Sequence, residues 1–289
     1  VSNPYRKFVS DFALLLKKGE KLPSGIPASA REVDISPLAP KVIIFSPHPD
    51  DECVAGALPL RLLRELRLKV INVAVTQGSR KNRQKERFAE LQNACSYLGF
   101  ELVQTVENGL ERINLTTREK DHQRWKDAVR VILKILVELQ PRVVIFPHQN
   151  DWNSTHVGTH FLVMDALKKM EKTFSCYIVE TEFWGAMDTP NLMIESSEED
   201  VADLITALSF HKGEIERNPY HLRLPSWMMD NVRRGSELVS GQGAEASPLI
   251  FATLYRLRKW SDLRMEIFFE GGKAVSQAES LEDLFQQLS

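Results

Sequence analysis

A chain of 289 residues can bury a sizeable core, and one α/β domain with additions fits it better than two independent domains. Charges nearly balance, 37 Lys plus Arg against 39 Asp plus Glu, so the net charge of -2 and the pI near 6.4 leave no basic footprint for nucleic acid. Cys53, Cys95 and Cys176 are odd in number, far apart and in apolar contexts, which implies neither a disulfide framework nor a Cys-rich zinc site.

That cysteine usage favours a reducing compartment. No apolar run approaches the roughly 20 residues of a membrane span, and no signal-peptide core precedes the fold. The expectation is a cytoplasmic protein with no membrane span.

In chain order, Phe8, Phe12, Leu15 and Leu16 fall at near-helical spacing, so residues 4–18 read as an amphipathic helix ahead of the main fold. Gly19 to Pro40 contains four prolines and reads as a connector. Lys41 to Ile44 is a short apolar, β-branched run, a buried first strand. It leads into Phe45-Ser46-Pro47-His48-Pro49-Asp50-Asp51-Glu52, and Cys53 to Leu63 then reads as a helix packed close to a sheet. An imidazole and three carboxylates thus crowd the end of a buried strand, which is costly unless something compensates the charge. A divalent cation is the simplest compensator, and zinc accepts both ligand types. The two prolines stiffen the turn that aims these groups.

A second strand spans Lys69 to Val75 and ends in Thr76-Gln77-Gly78-Ser79-Arg80. A helix from about Asn82 to Leu98 closes on Gly99, and Glu101 to Val106 reads as a third strand. After a polar loop, Trp125, Ala128, Val129, Ile132, Ile135 and Leu136 line one face of a helix from about Asp121 to Leu139. Arg142 to Phe146 is a fourth buried strand. This alternation predicts a parallel sheet with helices on both faces. In the doubly wound order 3-2-1-4, strands one and four meet at the switch point, where ligands bind beyond the strands' carboxyl ends. A second histidine-rich turn, Pro147 to His160, leaves strand four and runs into a helix from Phe161 to Met170. Ser175 to Glu180 is a fifth strand and Glu198 to Phe210 an amphipathic helix. His211 to Gly243 is arginine-rich and interrupted by Gly and Pro, suiting loops that wall a pocket for a polar ligand. The final 25 or so residues offer only a short amphipathic helix.

The Pro47-His48-Pro49-Asp50-Asp51-Glu52 stretch resembles the signature of the LmbE-like, or PIG-L, family of metal-dependent N-deacetylases. Its members typically remove an acetyl group from an N-acetylglucosamine-type amino sugar. The second turn resembles the family's other motif, commonly His-Pro-Asp-His or His-Pro-Thr-His at a helix start. The motif's last histidine falls on His156, whereas its first falls on Asn153 and its proline on Ser154, both departures. The resemblance implies a Rossmann-like α/β fold over residues 40–262, flanked by an N-terminal helix and connector (1–39) and a C-terminal extension (263–289). It implies zinc, with ferrous iron as the alternative, held by His48, Asp51 and His156. Asp50 would be the base, Asn153 would stand where an imidazole usually meets the oxyanion, and the substrate would be a small-molecule amino-sugar conjugate. The absence of a membrane anchor fits a bacterial-type member.

Other readings stay open. His48, Asp50 and Asp51 could simply cap a helix start, where acidic residues favour the dipole. His156 could be a satisfied polar residue, and His160, one turn away, could replace it as ligand or contact substrate. Arg80 and Arg83 are candidates for sugar hydroxyls or a phosphate. Arg233 and Arg234 fit either a solvated helix end or an anionic part of the substrate. The alternative functions are a metal-dependent amide hydrolase on a non-sugar substrate, and a metal-binding relative with little activity. A nucleotide-binding module is disfavoured because no Gly-rich fingerprint follows strand one. A homo-oligomer stays open.

Overall fold

The computed structural model describes residues 3–25, 33–268 and 270–285. Helix α1 (Arg6–Gly19) precedes strand β1 (Lys41–Ser46), which feeds the short α2 (Asp51–Val54) and α3 (Ala57–Arg64). Then come β2 (Lys69–Ala74), α4 (Gln84–Leu98), β3 (Glu101–Gln104), α5 (Leu115–Lys120), α6 (His122–Leu139), β4 (Val143–Pro147) and α7 (Ser154–Leu167). The second half adds β5 (Cys176–Thr181), β6 (Leu192–Glu195), α8 (Glu198–Ser209), α9 (Lys212–Ile215), α10 (Leu224–Leu238), β7 (Ala252–Ser261), β8 (Arg264–Ile267) and β9 (Lys273–Val275).

The strands form one sheet in the order β3-β2-β1-β4-β5-β7-β6-β9, with β8 paired to β7. β3 through β5 are mutually parallel, and β1 lies between β2 and β4. This is the doubly wound order that the strand–helix alternation predicts. Beyond β5 the sheet turns antiparallel through β7, and β6 pairs parallel with β9. β1 shows how the sheet is clamped. Val42 and Ile44 pack into a core with α3, α4 and α8, while Ile43 and Phe45 pack into a second core with α6 and α7. Every one of these side chains is fully buried, as expected for a parallel sheet covered on both faces.

Three departures from the expectations have physical reasons. The expected Cys53–Leu63 helix breaks at Gly56, whose φ of +81° favours glycine. A Cβ there would also meet Thr253 Oγ1 at 2.3 Å, so this is where the first helix is pressed onto β7. Within the expected pocket-wall loops of 211–243 lies α10, which buries Leu224, Met228 and Val232 on one face. Its first turn contains a proline, a residue tolerated only at that end of a helix. Among the described residues the C-terminal stretch forms β8, β9 and a 3-10 turn at Leu281–Asp283, and the expected short amphipathic helix falls partly outside them. These strands are three or four residues long, too short to carry a period of two.

Candidate metal centre

Because β1 and β4 are parallel neighbours, their carboxyl ends lie side by side, and both histidine-rich turns open at the same edge. β1 ends at Ser46, the chain turns through Pro47 to Asp50, and α2 begins at Asp51. The Asp51 carboxylate accepts the His48 backbone N–H at 2.8 Å, which closes the turn. β4 ends at Pro147, and α7 places His156 in its first turn, fully buried.

His48 Nδ1, Asp51 Oδ2 and His156 Nε2 converge. The separations are 3.2 Å between the imidazole nitrogens, 3.4 Å from His48 to Asp51 and 3.3 Å from His156 to Asp51. Tetrahedral ligands bonded at about 2.0–2.1 Å stand about 3.4 Å apart, so the donor set fits a small divalent ion without rearrangement. The chemistry of two imidazoles and one carboxylate fits as well. Burial alone would raise the Asp51 pKa and lower that of His156. Their mutual attraction wins, holding Asp51 well below the usual carboxylate range and His156 up at about 10.

Asp151 stands behind His156. Its Oδ2 lies 3.4 Å from His156 Nδ1 and accepts the N–H groups of Trp184 and Gly185 at 3.1 and 3.2 Å, while Oδ1 accepts that of Asn153 at 2.8 Å. His156 Nδ1 makes no hydrogen bond in this geometry, and Asp151 is the carboxylate placed to accept from it, an interaction that would fix the tautomer leaving Nε2 free to ligate.

Asp50 sits beside this centre in a left-handed conformation, φ 115°, rare for any residue but glycine. Such backbone costs on the order of 1–3 kcal/mol and persists only where the surroundings hold it. Here Glu52 Oε2 accepts the Asp50 N–H at 2.9 Å, and Glu52 Oε1 is bonded to His211 Nε2 at 2.7 Å. The Asp50 carboxylate accepts the Tyr220 hydroxyl at 2.5 Å. Burial, then the neighbouring Asp51, push its pKa up to about 6. Glu52, Cys53 and His211 also converge, all buried, but burial and Glu52 push the Cys53 thiol up, which keeps it protonated.

His48, Asp50 and Asn153 border a cleft of about 940 Å³, with Trp152 and Trp184 on its wall and Arg80 at its rim. Asn153 caps α7, its Oδ1 accepting the Thr155 N–H at 2.8 Å, which leaves the amide N–H₂ as its free donor. His160 lies elsewhere. It is buried with Nδ1 3.0 Å from the Pro147 carbonyl, its ring against Phe146 and Phe161, and it is not among the residues lining the cleft. Arg83 pairs with Glu86. Arg234 grips the buried Glu182 through two nitrogens, and Arg233 pairs with Asp230 on the surface. Tyr220 and Asp151 carry no individual role in the sequence reading, and His211 only that of a structural or substrate-contacting histidine. Tyr220 and His211 stand some 160–170 residues from their partners, a distance no local period spans. Asp151 is adjacent to the second motif but has nothing in its neighbours to separate it from a loop aspartate.

Comparison with known proteins gives a family match over part of the chain and a shared fold. The family profile described as PIG-L, GlcNAc-PI de-N-acetylase, matches residues 43–167. Comparison with curated protein sequences finds no significant match. Among solved structures, N,N'-diacetylchitobiose deacetylase from Pyrococcus horikoshii aligns with a TM-score of 0.51 at 17% identity, covering 93% of this chain and 98% of that one. A deacetylase of the teicoplanin biosynthesis pathway gives 0.55 at 14%, covering 76% and 98%. The 4-carboxy-2-hydroxymuconate hydratase GalB from Pseudomonas putida KT2440 also gives 0.55 at 14%, covering 75% and 95%. At such identities the likeness shows a shared fold, and a hydratase among them means that the fold alone does not select the reaction.

Proposed function

Residues 43–167 belong to the PIG-L, or LmbE-like, family, and from that premise we propose that the protein is a metal-dependent N-deacetylase acting on an N-acetylglucosamine-type amino-sugar conjugate. The observation that carries this reading is the spacing of His48, Asp51 and His156 as ligands, with Asp50 beside them on the wall of an open cleft.

His48, Asp51 and His156 would hold the ion, zinc or alternatively ferrous iron. When bound, it would lower the pKa of a coordinated water towards ~7 and polarise the amide carbonyl. Asp50 takes the proton of the attacking water at its carboxylate and returns one to the leaving nitrogen, so amide and water become acetate and a free amine. The Tyr220 hydroxyl keeps the Asp50 carboxylate in place. Asn153 donates its amide N–H to the oxyanion, a neutral donor where the family commonly has an imidazole. Trp152 and Trp184 offer flat faces to a sugar ring, and Arg80 a guanidinium to its hydroxyls or an anionic substituent. His160, buried behind the turn, supports α7 and does not touch substrate.

The test is acetate release from a panel of N-acetylglucosamine conjugates by enzyme stripped with a chelator and then reloaded with zinc or ferrous iron. The expected result is turnover that disappears on stripping and returns on reloading. Turnover of simple amides only would point to a non-sugar substrate. A loaded protein that releases no acetate from any of them would be a metal-binding relative without this activity.

A further inference from the structure

Helix α1 is amphipathic, yet none of its residues is buried. Tyr5, Phe8, Val9, Phe12, Leu15 and Leu16 fall on one face at helical spacing, and Phe8, Val9 and Leu15 are 68%, 62% and 65% exposed. A face of this composition left in water needs a partner. The charges of the same segment indicate which kind. Between Tyr5 and Leu22 stand Arg6, Lys7, Lys17, Lys18 and Lys21 against only Asp11 and Glu20, in a chain whose overall charge is negative. Basic side chains alongside an aromatic and leucine face are the composition of helices that lie in a membrane interface. At 14 residues α1 spans about 21 Å, short of a bilayer's hydrocarbon core of about 30 Å, so it would lie along the surface and not cross.

The segment's attachment matters as much as its composition. Leu222 packs against Gly19 at the end of α1, and the Gly25 N–H donates to Ser209 Oγ at 2.9 Å. Leu222 belongs to the 3-10 turn Tyr220–Arg223, whose Tyr220 holds Asp50, and Ser209 ends the helix that leads through His211 to Glu214 and Arg217 on the cleft wall. The exposed helix is therefore fastened to the wall of the cleft that carries the candidate chemistry.

We propose that α1 docks the protein on an anionic lipid bilayer, its apolar face in the interface and its lysines on the headgroups, holding the cleft close to that surface. The proposal stands on α1 alone and does not depend on the reaction at the metal centre. The test is flotation of the whole protein with vesicles of phosphatidylcholine alone and of phosphatidylcholine with about 30% phosphatidylglycerol, at low and high salt. Wild type should float with the anionic vesicles at least about tenfold more than with the neutral ones, and high salt should weaken it. The pair Phe8→Asp with Val9→Asp, and separately Lys17→Glu with Lys18→Glu, should each lower binding at least about tenfold. Circular dichroism and metal content should stay unchanged, since none of the four side chains is buried. Wild type that stays at the bottom of the gradient with anionic vesicles, or variants that float as well as wild type, would overturn it. So would light scattering that shows a lipid-free dimer split by Phe8→Asp with Val9→Asp, since the face would then belong to a second copy.

Discussion

Asp151 is the residue whose role the structure adds most clearly to the site. Three backbone N–H groups hold its carboxylate where the far nitrogen of His156 can meet it. Asp151→Asn should cost about 10- to 100-fold in metal affinity, read by competition with a chromogenic chelator, while the fold persists. Affinity equal to wild type would mean that α7 alone orients His156. Asn153 is the second case. Its carbonyl oxygen is engaged in capping α7, so any catalytic part falls to its N–H₂ group. Asn153→Ala should lower kcat by up to ~10²-fold with metal retained, and also remove a cap, costing roughly 1 kcal/mol of stability. Asn153→Asp separates the two effects, since it keeps the cap but replaces the donor with a repelling charge. Stability restored without activity is the expected pattern. Of these residues, His48, Asp50, Asp51 and His156 stand out in the sequence because charge and imidazole are out of place at the end of an apolar strand. Asp151, Tyr220 and His211 do not, because their meaning depends on neighbours that the fold alone brings.

At the scale of elements, α7 must present His156 without drifting, and two contacts fix it. Gly158 lets the helix touch the backbone at Ile113, where a Cβ would come to 2.3 Å of the carbonyl oxygen. Asp165, two turns further on, takes a bidentate grip from Arg118 of α5 and the indole N–H of Trp125 of α6. Burial raises the Asp165 pKa, but Arg118 and Trp125 outweigh it and hold the carboxyl below its ordinary value. The stability this adds is present above the unfolded value of about 3.9 and is lost as pH falls through the folded one. Asp165→Asn should therefore destabilise the protein by roughly 1–3 kcal/mol at neutral pH in urea titrations, and the deficit should shrink below about pH 4. A deficit independent of pH would mean that shape, not charge, makes the contact. The long helices α4, α6 and α8 were legible because each joins an apolar period to at least one cap, Gly99 at the end of α4 and Asp121 and Ser197 at the starts of α6 and α8. α5 was not, since its six residues offer less than two turns of pattern.

Across the whole molecule, the half from β1 to β5 was readable because strand and helix alternate, and right-handed crossovers leave few arrangements. The antiparallel continuation was not. β6 and β9 are four and three residues long, and β7 joins β5 to β6 from some 70 residues away. Nothing local records such a pairing. That continuation supplies the floor onto which Gly56 presses the first helix, and α10 beside it carries the Arg234–Glu182 pair. The turn that carries His48 and Asp51 is thus braced by parts of the chain that the sequence reading left as loop or unassigned.

In the proposed reaction Asp50 moves protons for a metal centre it does not help to hold. The deciding experiment measures turnover and metal content together for wild type and Asp50→Asn. About one divalent ion per chain is expected in both proteins, with a fall in kcat of at least ~10²-fold in the variant. An Asp50→Asn protein that keeps its metal and turns over like wild type would contradict that role for Asp50.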